Sequence, residues 1–287
     1  MSSPIQSDNH YRGRLAPSPT GHLHLGHART FWVAQERAQA AGGALVLRNE
    51  DLDQNRARQT FVSAMFEDMQ WFGLRWQEGP DVGGPFGSYN QSERRHLHLA
   101  AWQKLLVGGF IYPCKCSRRD ILQSLQAPHH GEEEPIYPGN CRTAILPPPP
   151  ADVSSAGENW RFRVPDGEII SFNDGHFGPQ QFVAGKDFGD FIVWRQDDVP
   201  SYQLAVVADD AAMKITEVVR GQDLLLSTAR QVLLYQALGL KPPAFHHCPL
   251  MTDESGVRLA KRHDALSLRA LRANGIKPEA LHANWKI

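Results

Sequence analysis

Two groups of residues in this chain have types and spacings that could do chemistry. The first is His24-Leu25-Gly26-His27, embedded in RGRLAPSPTGHLHLGHART. It joins a turn to the start of a helix, where free backbone N–H groups and the positive end of the helix dipole make an anion site. Gly26 would let a ligand approach the backbone, and His24 and His27 place two imidazoles at the same point. The second is Cys114-Lys115-Cys116 with Cys141, 25 residues further on. Three thiolates in a chain with reduced thiols favour a structural tetrahedral zinc, which requires a fourth ligand. Chemistry alone nominates His129 or His130 for it.

The elements that must carry these groups follow from apolar periodicity. Leu15 and Ala16 end a short strand, Pro17, Pro19 and Gly21 forbid regular structure, and a helix is expected from His27 to Ala40. Leu45–Arg48 reads as a strand, Thr60–Phe72 as a helix, and Leu97–Val107 as a helix stopped by Gly108 and Gly109. This alternation predicts an α/β fold with a largely parallel sheet. Between Tyr112 and about Arg195 the texture changes to three cysteines, the Pro147–Pro150 run and short β-like pieces at Trp160–Val164, Ile169–Phe172 and Phe191–Trp194. Alternation resumes at Ser201–Ala208 and Lys214–Val219, followed by a helix from Thr228 to Leu238. The expected organisation is therefore a first catalytic half over 1–112, an inserted α+β module over 113–195, a second half over 196–250, and a basic loop with a helical end over 251–287.

Composition limits the function classes. The chain has 287 residues, 30 Lys+Arg against 31 Asp+Glu, and 41% hydrophobic residues, which is ordinary globular usage. Its apolar runs are far shorter than the roughly 20 residues that span a bilayer, and MSSPIQSDNHYRGR lacks a signal-peptide core. A cytoplasmic protein with reduced thiols is expected, and four cysteines make no disulfide framework. Net charge of −1 argues against a general nucleic-acid coat. The stretch from Ser255 to Ile287 nevertheless holds seven Lys/Arg against two acids, a local basic end.

The first segment resembles the opening of class I aminoacyl-tRNA synthetases of the glutamate branch, in which Arg-x-Ala-Pro-Ser-Pro-Thr-Gly leads into the HIGH motif. His24-Leu25-Gly26-His27 matches that motif with Leu for Ile. The resemblance implies a Rossmann-type catalytic domain in which His24, Gly26 and His27 hold ATP, with His24 and His27 as catalytic groups. LRNEDLD resembles the family's LRIEDTD, RQDDVPSYQLA its RSDGxPxYxxA, and ITEVVRGQDLLLSTARQ its ITHVIRGxD…NTxRQ. Free glutamate brings two carboxylates and an ammonium; guanidinium suits the former and an acid or carbonyl the latter. The resemblance places glutamate contacts at Arg14, Ala16, Ser18, Glu50, Tyr202 and Arg220, all expected at strand ends. Glu217 stands where the family commonly has His, and Leu224-Leu225 where it often has a polar pair, which would alter the pocket's surroundings.

MTDESGVRLAKRHDALSL resembles the family's second ATP loop, KMSKS or KLSKR, with Arg258, Ala260 and Lys261 at its key positions. Attack of the glutamate carboxylate on the α-phosphate needs orientation and cationic stabilisation, so Lys261 is the expected catalytic cation and Arg258 a second ATP contact. Read alone, RLAKR is a solvated basic loop. For zinc, the resemblance nominates Tyr137 beside Cys114, Cys116 and Cys141, because a short subgroup carries Cys-x-Cys and then Tyr-x-x-x-Cys.

Only 25 residues follow Arg262, so no anticodon-binding domain is expected. That fits a truncated branch of the family, the glutamyl-queuosine tRNA(Asp) synthetases. Membership implies ATP, with Mg2+, and L-glutamate as substrates, formation of glutamyl-adenylate without tRNA, and transfer to queuosine at the wobble position in the anticodon stem-loop of tRNA(Asp). One zinc ion and a monomer, without membrane association, are expected. The rival expectations are a truncated synthetase charging tRNA(Glu) and a non-catalytic tRNA-binding paralogue.

Overall fold

The computed structural model describes residues 10–116, 136–137, 139–142, 157–251, 267–283 and 285. Strand β1 (Arg12–Leu15) pairs in parallel with β2 (Ala44–Leu47), joined by helix α1 (Leu25–Ala40). Leu45, Val46 and Leu47 are all buried, as expected of a strand covered on both faces. The α1–β2 turn closes tightly: a Cβ on Gly43 would lie 2.4 Å from the Tyr11 carbonyl oxygen, so only glycine fits.

Helices α2 (Gln59–Trp71) and α3 (Arg95–Val107) follow, then β3 (Ile111–Cys114). β3, β4 (Asn159–Phe162) and β7 (Phe191–Trp194) form an antiparallel sheet in the order β3-β4-β7. Between β4 and β7, β5 (Ile169–Asp174) and β6 (Gly178–Val183) form a hairpin.

Helix α4 (Tyr202–Ala212) leads to β8 (Glu217–Gly221), α5 (Leu225–Ala237) and β9 (Ala244–Cys248). β8 and β9 are parallel, and β5 joins β9 in parallel through Asp174 and Phe245. Thr216, just before β8, donates its N–H to the Arg12 carbonyl at 2.9 Å, which sets β1 beside β8. The hairpin carried by the 113–195 segment therefore lengthens the sheet that holds β8 and β9. The expected α/β fold is present, with parallel pairing at its centre and antiparallel additions.

One expectation is corrected. Ser201–Ala208, read as a piece of the strand alternation with Tyr202 at a strand end, is the start of helix α4. Ser201 caps it by accepting from the Leu204 N–H, and Tyr202 is its first residue. The helix is buried from Tyr202 to Asp210 on all sides, so it carries no amphipathic period to tell it from a buried strand.

Two apolar clusters hold these layers. One packs α3, α4 and α5 around Trp102, Trp194 and Tyr235; the other sets α1 and α2 against β1 and β2 around Phe31, Met69 and Phe72. Helices α6 (Leu268–Ala273) and α7 (Pro278–His282) close the second, with the His282 ring stacked 3.6 Å from Trp32. Among the described residues, no helix is long and apolar enough to cross a membrane.

Candidate active site and cysteine cluster

One cavity opens at the C-terminal ends of β1, β2 and β8, beside the N-terminus of α1. Its lining includes Arg14, Ala16, Ser18, Glu50, Tyr202 and Arg220 together with His24, Gly26 and His27. Nine sequence-predicted residues, drawn from four separate motifs, thus meet around one space. Arg258 and Lys261 lie outside the described residues, but the chain on either side of them is fixed at this cavity. Met251 lines it, and Ser267 forms a β-bridge with His24 while Leu268 donates its N–H to the Leu23 carbonyl at 2.8 Å.

At the nucleotide-like end, His24 is the N-cap of α1. Its Nδ1 accepts from the Gly26 N–H at 3.1 Å, while the His24 N–H points to His27 Nδ1 at 3.5 Å. The two rings lie 3.7 Å apart. A Cβ on residue 26 would stand 3.0 Å from the His24 ring, so any larger residue would crowd the imidazole. This motif is a capping box made of histidines, which fixes both rings over the positive end of the helix.

At the inner end, the pocket cations rest on buried acids. Arg14 donates from Nη1 to the Val219 carbonyl at 3.0 Å and lies 3.6 Å from Asp210, while its buried Nε has no hydrogen-bond partner. Arg48, fully buried, bridges Asp210 at 2.6 Å and Glu50 at 2.9 Å. Burial opposes its charge, but the two carboxylates outweigh that and hold it protonated. Burial raises the Glu50 carboxyl above its usual range, against the pull of Arg48 and Arg14. Arg220 is lowered by burial and lies 3.5 Å from the Tyr202 hydroxyl, whose own pKa burial raises. Asp53, Arg56 and Asp223 also line the cavity, but within this cluster three guanidiniums face two carboxylates, one positive charge in excess. That is the complement of free glutamate, which carries a net single negative charge.

Sequence reasoning missed Arg48, Asp210, Thr228, Asp174 and His247. Arg48 was available as a cation two positions before Glu50. Asp209 and Asp210 were available as charges in the apolar run QLAVVADDAA, a place where acids stand only when paired. Asp209 takes Arg94 at 2.7 Å and His98 at 3.0 Å. Glu217, expected to alter the pocket's surroundings, faces α1. It receives Arg37 through two bonds at 2.6 and 2.7 Å and the Tyr11 hydroxyl at 2.7 Å, which together hold its carboxyl below the usual range despite burial.

The Cys114, Cys116 and Cys141 sulfurs all lie within 4.8 Å of one another, with Cys116 and Cys141 3.7 Å apart. Zinc–sulfur bonds of about 2.3 Å in a tetrahedron place sulfurs roughly 3.8 Å apart, so the donor set fits zinc with little movement. The Tyr137 oxygen stands 3.5 Å from Cys114 Sγ and 3.2 Å from Cys116 Sγ. It accepts the Cys141 N–H at 2.9 Å. Its hydrogen bond lowers the Cys141 thiol to about 7, whereas burial pushes Cys116 up to about 11. Arg161 gives Nε–H to Cys114 Sγ at 3.2 Å and lies 3.8 Å over the Tyr137 ring, a cation beside the three thiols. His129 and His130 lie outside the described residues.

Known proteins resemble this chain along most of its length. A protein-family profile described as the catalytic domain of class I tRNA synthetases (E and Q) matches residues 10–285. A protein of Symbiobacterium thermophilum named glutamyl-Q tRNA(Asp) synthetase is 49% identical over 94% of this chain and 83% of its own length. One of the same name from Nitratidesulfovibrio vulgaris is 47% identical over 92% of this chain and 82% of its own. Among solved structures, the glutamate-tRNA synthetase of Elizabethkingia anophelis superposes with a TM-score of 0.75 at 31% identity, covering 88% of this chain and 53% of that one.

Proposed function

This chain belongs to the family of class I tRNA synthetase catalytic domains of the glutamate and glutamine branch, and from that premise we propose that it activates L-glutamate with ATP, without tRNA, and passes it to queuosine at the wobble position of tRNA(Asp). The observation that carries the activation step is the single cavity. Its inner end offers one excess guanidinium to a dicarboxylate, and its outer end offers a helix N-terminus and two fixed imidazoles to phosphates. Glutamate lies with Arg14 and Arg220 on its carboxylates and Glu50 on its ammonium. Tyr202, Ala16 and Ser18 complete its contacts. A carboxylate oxygen attacks the α-phosphorus of ATP, and the bond to the bridging oxygen breaks as pyrophosphate leaves with its electron pair. His24, His27 and Gly26 hold the nucleotide, and Arg258 and Lys261, in the sequence between Met251 and Ser267, supply its further cations. Mg2+ accompanies the nucleotide. An acceptor hydroxyl then attacks the acyl carbon, AMP departs, and the hydroxyl proton is released.

Cys114, Cys116, Cys141 and Tyr137 would hold one zinc ion, which supplies structural closure of the module at 113–195 and no chemistry. The acceptor rests on the names of the two relatives most of whose length this chain matches. ATP–pyrophosphate exchange that depends on glutamate and needs no tRNA tests the first step. Labelled glutamate should then enter queuosine-containing tRNA(Asp) and not tRNA(Glu). Periodate-sensitive label at the 3′ end of tRNA(Glu) would assign the chain to ordinary charging instead.

A further inference from the structure

Behind Arg220 lies a buried chain of polar groups that the proposed reaction does not itself use. Asp174, the last residue of β5, places Oδ2 2.6 Å from His247 Nδ1. Its other oxygen accepts the N–H groups of His176 and Phe177 at 3.0 and 2.9 Å, so the carboxylate is held from three sides. His247 Nε2 faces Arg220 Nε at 3.2 Å and the Thr228 hydroxyl oxygen at 3.0 Å. Thr228 in turn accepts from Arg220 Nη2 at 2.6 Å. His247 is fully buried and Asp174 almost so.

The donors and acceptors admit one assignment. Arg220 Nε can only donate, so His247 Nε2 must carry a lone pair, and the proton must sit on Nδ1, facing a carboxylate that can only accept. Burial keeps the ring neutral, with its pKa pushed down to about 4. We propose that Asp174 and His247 are positioning residues for the reaction: Asp174 fixes the Nδ1–H tautomer of His247, and the Nε2 lone pair with Thr228 fixes the plane of the Arg220 guanidinium against glutamate. Three elements meet in this chain, β5 through Asp174, β9 through His247 and α5 through Thr228. The hairpin carried by the 113–195 segment thus reaches the back of the amino-acid pocket, and the aim of Arg220 depends on how that hairpin seats against β9. Planar guanidinium recognition is directional, so a rotated Arg220 keeps its charge but loses its paired contacts.

The inference rests on Arg220 contacting glutamate. Its test uses the full chain in glutamate-dependent ATP–pyrophosphate exchange, with histidine 15N shifts reporting the tautomer. Asp174→Asn keeps the shape, but its amide N–H faces Nδ1 and drives the proton to Nε2, where it opposes Arg220 Nε–H. Losing a hydrogen bond to a charged group raises the KM for glutamate about 10-fold or more, while the KM for ATP stays within about 2-fold. His247→Leu behaves likewise. His247→Gln, whose carbonyl can accept from Arg220, recovers most of the loss. Equal rises in both KM values, an unmoved glutamate KM, or Gln no better than Leu overturns the proposal. If Leu fails to fold, the Asn and Gln variants decide the matter. An Nε2–H tautomer in the unmodified protein overturns it whatever the exchange assay gives, whereas absence of exchange in that protein overturns the reading of the pocket instead.

Discussion

Replacing Arg48 by methionine should cost stability in a manner that depends on pH. The side chain is fully buried and bridges two carboxylates, Asp210 at 2.6 Å and Glu50 at 2.9 Å. Methionine fills much of the volume but leaves both acids without this partner. Removing one member of a buried ionic cluster costs about 3–5 kcal/mol, because the remaining charges stay desolvated. At about 2–4 °C per kcal/mol for a domain of this size, the melting temperature falls by roughly 6–20 °C. Glu50 is already raised by burial, and Arg48 is its largest opposing influence, so in the variant it rises further. A carboxyl whose folded pKa exceeds its unfolded value destabilises the fold above that pKa and recovers as pH falls toward the unfolded value. The deficit against the unmodified protein is therefore largest near pH 7.5 and smaller near pH 5.5. Urea unfolding of both proteins at these two pH values measures it. Arg48→Lys keeps one charge but cannot span both acids, so it falls between the two. A deficit under about 1 kcal/mol at pH 7.5, or one unchanged at pH 5.5, refutes the reasoning. With the excess cation gone, the KM for glutamate should rise as well.

Three other outcomes follow from the same geometry. Mass spectrometry of the native protein should find one zinc per chain, and Cys116→Ser should lose it while the fold of the β8–β9 sheet persists, read by circular dichroism. Glu217→Gln should cost about 1 kcal/mol through its contacts with Arg37 and Tyr11, seen in urea midpoints, with the KM for glutamate unmoved, since Glu217 faces α1 rather than the cavity. His247 sits well below its unfolded pKa near 6.5, with a folded value of about 4, so its neutral form favours the native state. That stability is complete above about pH 6.5 and is lost as pH falls through about 4, and His247→Gln should flatten this part of the stability profile.

The parts of the site legible in the sequence are those fixed by local chemistry. His24-Leu25-Gly26-His27 announces a helix start because the motif caps that helix with its own side chains, and Arg14, Glu50 and Arg220 stand in short segments flanking a strand's end. What stayed hidden are the partners brought together over long chain separations. Asp210 meets Arg48 across 162 residues, and Asp174 meets His247 across 73. No spacing rule links such pairs: the run QLAVVADDAA shows that its acids need partners but not which residues supply them. Helix α4 was missed for a related reason: burial on every side removes the period by which a helix is recognised.

The two ends of the cavity use different kinds of positive charge, and the difference matches what each is proposed to hold. At the inner end, guanidiniums are permanent cations locked on Asp210, the Val219 carbonyl and Thr228, so they discriminate by fixed geometry. A small dicarboxylate with few torsions is best selected that way, because misplaced charge in a dry site is costly. At the outer end, partial charges from the α1 N-terminus and two imidazoles 3.7 Å apart face the cavity that Met251 also lines. Such charges attract a triphosphate without fixing each oxygen, so pyrophosphate can leave once the bond breaks. An Arg locked there would bind the leaving group as tightly as the substrate and slow its release. Arg258 and Lys261, outside the described residues, are on the proposed reading the further cations of that outer end, while the acids that set Arg14 and Arg48 stand at the inner one.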